Sequence, residues 1–143
     1  MKKQLLFCAF VGLMTSCQQD DAIQPNPSTL AAEVVGTYRT NVYLDPSYVA
    51  VPSNLLPYAE LKTESDSGVA LIYTNPEKSD QVIQHITLSR QANSIQLHAG
   101  GSVVGTLQTD RIFTNSGMEK QGKLLRLSVQ NTPERTLSFV GYR

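Results

Sequence analysis

The sequence predicts an all-β fold: a small antiparallel barrel of about eight strands, with a β-sandwich as the alternative. Three observations carry this expectation. Turn-forming residues recur about every 8–12 positions along the chain after residue 33. Between those turns, apolar and polar side chains alternate with period two. No stretch repeats its apolar residues at helical spacing, and Met118–Gln121 is too brief to count.

Taken in order, Ser28–Ala32 reads as one short helical turn with Ser28 as its N-cap. Val34–Leu44 then alternates, with Val34, Tyr38, Val42 and Leu44 on one face and Thr37, Arg39 and Asn41 on the other. Asp45-Pro46-Ser47 ends that strand. Residues Asp45–Tyr58 hold Pro46, Pro52 and Pro57, and proline is poorly tolerated in a central strand. This piece therefore reads as a long loop or edge. Further strands are expected at Tyr58–Glu64, Val69–Thr74, Val82–Arg90, Ser94–Ala99, Ser102–Thr109, Arg111–Thr114, Lys123–Gln130 and Thr136–Arg143. Turn chemistry separates them at Asp66-Ser67-Gly68, Asn75-Pro76, Gln91-Ala92-Asn93, Gly100-Gly101, Asn115-Ser116-Gly117 and Asn131-Thr132-Pro133.

Composition narrows the chemistry. The chain has 12 Lys+Arg against 12 Asp+Glu. That balance gives no electrostatic footprint for nucleic acid and no polybasic membrane patch. Only Cys8 and Cys17 are present, both near the N-terminus, so residues 33–143 offer no disulfide, thiolate or cysteine-type zinc site. His85 lies among Val82, Ile83, Ile86 and Leu88, sharing a face with Ile83 and Thr87, and His98 follows Ile95-Gln96-Leu97. Neither has a second histidine or carboxylate at short ligand spacing, so both read as surface residues. Glu60 and Glu64 flank Lys62 on one strand, which reads as a solvated face rather than an acid–base pair. The serines form no nucleophile-elbow pattern, and Gly100-Gly101 lacks the following helix of a phosphate cradle. Arg126 interrupts the apolar run Leu124–Val129 and either faces solvent or pairs inside the barrel. No catalytic residue, metal ligand or cofactor is assigned, and the protein is expected not to be an enzyme.

Gly36-Thr37-Tyr38 opens the first long strand just after the helical turn, and Leu137–Arg143 closes the last. This arrangement resembles lipocalin-like domains, in which a Gly-x-Trp motif begins strand one and a basic residue of the final strand packs across the aromatic ring. Tyr38 stands where the family usually has tryptophan, and Arg143 or Arg126 is the expected basic partner. The resemblance implies that Gly36 and Tyr38 close the barrel floor. It also implies that the first long connection is a lid over the open end, with Tyr48, Leu55, Leu56 and Tyr58 as lid or ligand contacts.

The N-terminus reads as a leader. Lys2 and Lys3 precede an apolar run from Leu5 to Leu13, and Leu13-Met14-Thr15-Ser16-Cys17 follows. The run is about nine residues, whereas crossing a bilayer takes about 20 helical residues. The segment resembles a bacterial lipoprotein signal peptide, with Met14 where leucine is commoner, which implies acylation of Cys17. Cys8 lies within the run and lacks the tether composition that follows Cys17. Gln18, Gln19, Asp20 and Asp21 resemble the short acidic tag that routes lipoproteins to the cell surface in some Gram-negative lineages. The expected organisation is a signal peptide at 1–16, a lipidated cysteine and flexible tether at 17–32, and the all-β domain at 33–143. The expected protein is an outer-membrane lipoprotein facing the exterior, with the periplasmic face as the alternative. Its expected work is noncatalytic binding of a small apolar or amphipathic ligand. The alternative is a structural or protein-interaction module with a filled core. The expected partners are the membrane through the lipid anchor and either that ligand or a surface protein, with no nucleic acid.

Overall fold

The computed structural model describes residues 29–76, 80–132 and 135–143. The chain forms a short helix, α1 (Leu30–Val34), and eight strands. These are β1 (Gly36–Arg39), β2 (Tyr58–Ser65), β3 (Gly68–Thr74), β4 (Gln81–Gln91), β5 (Ser94–Ala99), β6 (Ser102–Phe113), β7 (Glu119–Thr132) and β8 (Arg135–Tyr142). Each strand pairs antiparallel with the next, and β8 returns to β1, so the sheet is a closed barrel in simple sequence order. The barrel, not the sandwich, is the architecture.

Period-two alternation builds the interior. Val69, Leu71 and Tyr73 of β3, Ile95 and Leu97 of β5, and Leu125, Leu127 and Val129 of β7 all point into one core. Tyr38, Ala59, Leu61, Ile86, Leu88 and Phe139 complete it from the other strands. α1 contributes Ala31 and Val34 to the same core and closes one end of the barrel. Its amide at Ala31 donates to the Asp66 carbonyl in the β2–β3 turn, 3.1 Å away. The N-cap is Thr29, whose hydroxyl accepts from Ala32 N–H, rather than the expected Ser28.

Besides β7, which opens at Glu119 rather than Lys123 and ends at Thr132 inside the expected Asn131-Thr132-Pro133 turn, two sequence boundaries need correction. The strand expected over Val34–Leu44 is only Gly36–Arg39, because Val34 completes α1 and Asn41 turns the chain aside. The Asn41 side chain is buried; its Oδ1 accepts from the amides of Tyr43 and Leu44, each at 3.0 Å, and its Nδ2 donates to the Phe113 carbonyl at 2.7 Å. An asparagine that satisfies its own turn offers the backbone an alternative to the ladder. Second, the break expected at Asp110 does not occur, and β6 runs through it to Phe113. Asp110 stays in the ladder opposite Gly122, with its carboxylate held by Gln108 Nε2 and the Arg111 amide.

Closure is uneven around the barrel. β1 pairs with β2 over four register positions but meets β8 at one, Arg39 against Tyr142.

Candidate functional site

The α1 end is clasped by Arg143. Its guanidinium lies over the Tyr38 ring, 5.6 Å from the centroid, and donates to the carbonyls of Val35 and Glu33. Those are carbonyls at the end of α1, where cations are favoured. Tyr38 is fully buried and donates its hydroxyl to the Val34 carbonyl at 2.6 Å. Burial pushes the phenol up to about 12, against the opposing pull of Arg143. Of the two basic residues considered, Arg143 is the partner; Arg126 is outside, 3.9 Å from Asp110. Gly36 fits the expected closure position because its φ is +139° and a Cβ there would sit 2.5 Å from Arg143 Nη1. Lys123 and Arg90 join the same end, donating respectively to the carbonyl and the carboxylate of Glu33. Burial lowers the Lys123 pKa first, and Arg143 and Arg90 lower it further against the pull of Glu33. Glu33, Arg90, Asn93 and Lys123 border a small hollow of about 70 Å³.

The expected lid holds two short 3-10 turns, Pro46–Tyr48 and Ser53–Leu55. Asp45 caps the first by accepting from Ser47 N–H. The structure separates the four expected lid contacts. Tyr48 is half-buried and hydrogen-bonds Tyr73, whose ring meets Phe139 edge-on at 5.6 Å. Burial pushes the Tyr73 hydroxyl up to about 12; Tyr48 and Asp45 add to the shift, and the bond from Asn75 opposes it. Tyr58 belongs to β2 instead, and the Arg39 guanidinium lies 5.8 Å from its ring centroid. Leu55 is exposed and Leu56 half-buried. The loop's remaining apolar surface faces outward at Val49, which is 77% exposed. Tyr43 packs on Phe113 of the β6–β7 hairpin, with centroids 5.7 Å apart. Cys17, Gln18, Gln19, Asp20 and Asp21 lie outside the described residues.

Two polar arrangements escaped the sequence reading. Ser89 and His98 sit on neighbouring strands with Oγ and Nε2 2.8 Å apart. Strand register places them together, since Thr87 faces His98 and Ser89 faces Gln96. His85 has a left-handed backbone, φ +58°, because β4 carries an extra residue there: Leu71 faces Ile83, and Val69 faces Ile86. The bulge puts Ile83 and Ile86 against the same core and extrudes His85, which corrects the face assigned to it with Ile83. Its amide donates to Glu64 Oε2 at 2.9 Å, and the ring Nδ1 is 3.6 Å from that oxygen. Glu64, Ser65, His85 and Thr87 line an open groove of about 460 Å³. Among the described residues, no three His, Cys, Asp or Glu side chains gather as a metal-binding group.

No family model matches the chain, and no solved structure matches it. A protein from Shewanella piezotolerans described as recombination-associated protein RdgC is 33% identical over 69 residues. The match covers 48% of this chain and 23% of that protein. It therefore spans less than a quarter of the relative's length.

Proposed function

We propose that this chain is an outer-membrane lipoprotein, held through acylated Cys17 and facing the exterior. Its barrel is a noncatalytic module that engages another protein. The observation supporting the interaction module over a small-ligand carrier is the occupied interior. Tyr38, Leu61, Leu71, Ile86, Leu97 and Leu125 are fully buried within one core. α1 plugs one end, and Tyr48, Tyr73 and Phe139 meet on the lid side. A second hollow, of about 210 Å³, lies along Val103–Thr106 and Arg126–Ser128. Neither hollow is lined by any of those six side chains, and the open groove at His85 touches only Ile86 among them. An apolar ligand inside the barrel would have to displace packed side chains, and ligand pockets commonly occupy ~300–1,000 Å³.

Two measurements test this reading. Cys17→Ala should abolish acylation and release the protein from the membrane fraction, because several acyl chains make a far stronger anchor than one. Sedimentation of the variant with membranes after a high-salt wash would refute the anchor. Replacing Asp20 and Asp21 by Ala should leave the chain lipidated while reducing its exposure to external protease. Unchanged accessibility in intact cells would reduce the tag to linker.

A further inference from the structure

Lys123 and Arg143 exchange both backbone hydrogen bonds, at 3.1 and 2.9 Å. In an antiparallel ladder such pairs alternate with pairs whose N–H and C=O groups point away from each other. The β7–β8 register runs unbroken from Leu124 opposite Tyr142 to Gln130 opposite Thr136. The alternation therefore turns the backbone groups of Tyr142, Val140, Ser138 and Thr136 away from β7, toward the seam with β1. Tyr142 meets Arg39 there. β1 then stops, because Asn41 has folded the chain into its own turn. Among the described residues, no backbone hydrogen bond reaches Val140, Ser138 or Thr136 from that side.

Protection on this edge is confined to its start, where Arg135 opens β8 and the register shifts opposite Gln130–Thr132. Natural edge strands carry charge, proline or a bulge against adventitious pairing. Thr136-Leu137-Ser138-Phe139-Val140 has no charged residue, no proline and no register shift. Thr136 and Ser138 are exposed, while Phe139 is buried against Tyr73.

We propose that this seam takes up an extended segment of a partner protein as an added strand beside β8. Backbone bonds to Thr136, Ser138 and Val140 supply the pairing, as in other strand-addition complexes. About six residues span the edge. Side chains beside Leu137 and Phe139 would be apolar, and those beside Thr136 and Ser138 small and polar. The proposal names the partner class for the interaction module and rests on that reading. A second copy is the other conceivable occupant. Symmetric pairing of two β8 edges about Ser138 would turn the barrels head to tail and send their α1 ends in opposite directions. With both chains anchored through Cys17 in one membrane, such a pair would turn one α1 end away from that membrane and stretch its tether, which disfavours a second copy.

The test uses the full chain in detergent micelles and a fluorescein-labelled, end-capped hexapeptide of alternating valine and threonine. In the free protein, the amides of Thr136, Ser138 and Val140 should exchange hydrogen at least tenfold faster than those of Leu137, Phe139 and Gly141. Saturating peptide should slow the first three at least tenfold. Ser138→Pro removes an N–H that β7 does not use, so it should keep the melt while weakening peptide binding at least tenfold by anisotropy. Equal protection of all six amides in the free protein would overturn the proposal. So would an absence of peptide binding, or binding indifferent to Ser138→Pro. A dimer dispersed by the peptide would assign the edge to a second copy and overturn the partner proposed. If Ser138→Pro does not fold, the exchange measurements decide alone. Failure of the anchor is read separately, from Cys17→Ala.

Discussion

Tyr38 concentrates several stabilising contacts in one side chain. Its ring is buried, its hydroxyl bonds the Val34 carbonyl, and Arg143 lies across its face. Truncating a buried aromatic costs about 3–5 kcal/mol, a large share of the ~5–15 kcal/mol that holds a domain together. Tyr38→Ala should therefore unfold the barrel or lower its melting temperature steeply. Tyr48→Ala, which loses mainly one hydrogen bond, should cost about 1 kcal/mol. Equal small shifts for both would remove Tyr38 from the core. The same burial predicts a response to alkali. The hydroxyls of Tyr38 and Tyr73 are each pushed up to about 12, whereas an unfolded tyrosine ionises near about 10. The folded pKa lies above the unfolded one, so this stabilisation is complete below pH ~10 and is lost as pH rises through ~12. Urea midpoints measured across that window should fall, and Tyr38→Phe should flatten part of the fall.

At the scale of the element, the turns decide where strands end. Asn41→Ala would leave the Phe113 carbonyl and the Tyr43 amide without their partner, while the Leu44 amide keeps its bond to the backbone carbonyl of residue 41. Unsatisfied groups of this kind cost about 1–3 kcal/mol each where water cannot replace the partner. We expect a loss of about 2–4 kcal/mol in urea unfolding. Ala92 makes the opposite case. It holds φ +47° in the tight β4–β5 turn, a conformation that favours glycine. Ala92→Gly should raise stability by up to about 1 kcal/mol, checked by thermal melt. These elements also mark where the sequence was readable. Ser94–Ala99 alternates without interruption, and its strand has those bounds. The run Val34–Leu44 alternates too, but period two cannot reveal an asparagine whose side chain satisfies a turn. Nor can it reveal the extra residue at His85, since a bulge changes facing without changing composition.

At the scale of the molecule, the barrel was legible because eight strands in sequence order need only alternation and frequent turns. The clasp was legible in part: Gly36 and Tyr38 were singled out, but spacing could not choose between Arg126 and Arg143. Tertiary facts lay beyond reach. Nothing local in the sequence puts Ser89 beside His98 or ends the β1–β8 ladder at one pair. The filled interior belongs here too, since alternation reports which side chains point inward but not how closely they meet. A fluorescent fatty-acid probe added to the full chain should show no saturable one-to-one binding. Saturable binding that quenches with probe occupancy would return the small-ligand reading to first place.

The clasp joins residues far apart along the chain: Arg143 reaches the Val35 carbonyl across 108 positions. Contacts of such separation have the largest loop-closure entropy against them, so they form late on the folding path. The β-hairpins from β2 to β8 are local and can assemble before the ring closes. Interactions absent from the transition state govern how fast the native state opens rather than how fast it forms. Arg143→Ala should therefore speed unfolding about tenfold while leaving refolding nearly unchanged, as read from the two arms of a stopped-flow chevron. A slower refolding arm would place the clasp in the folding nucleus instead.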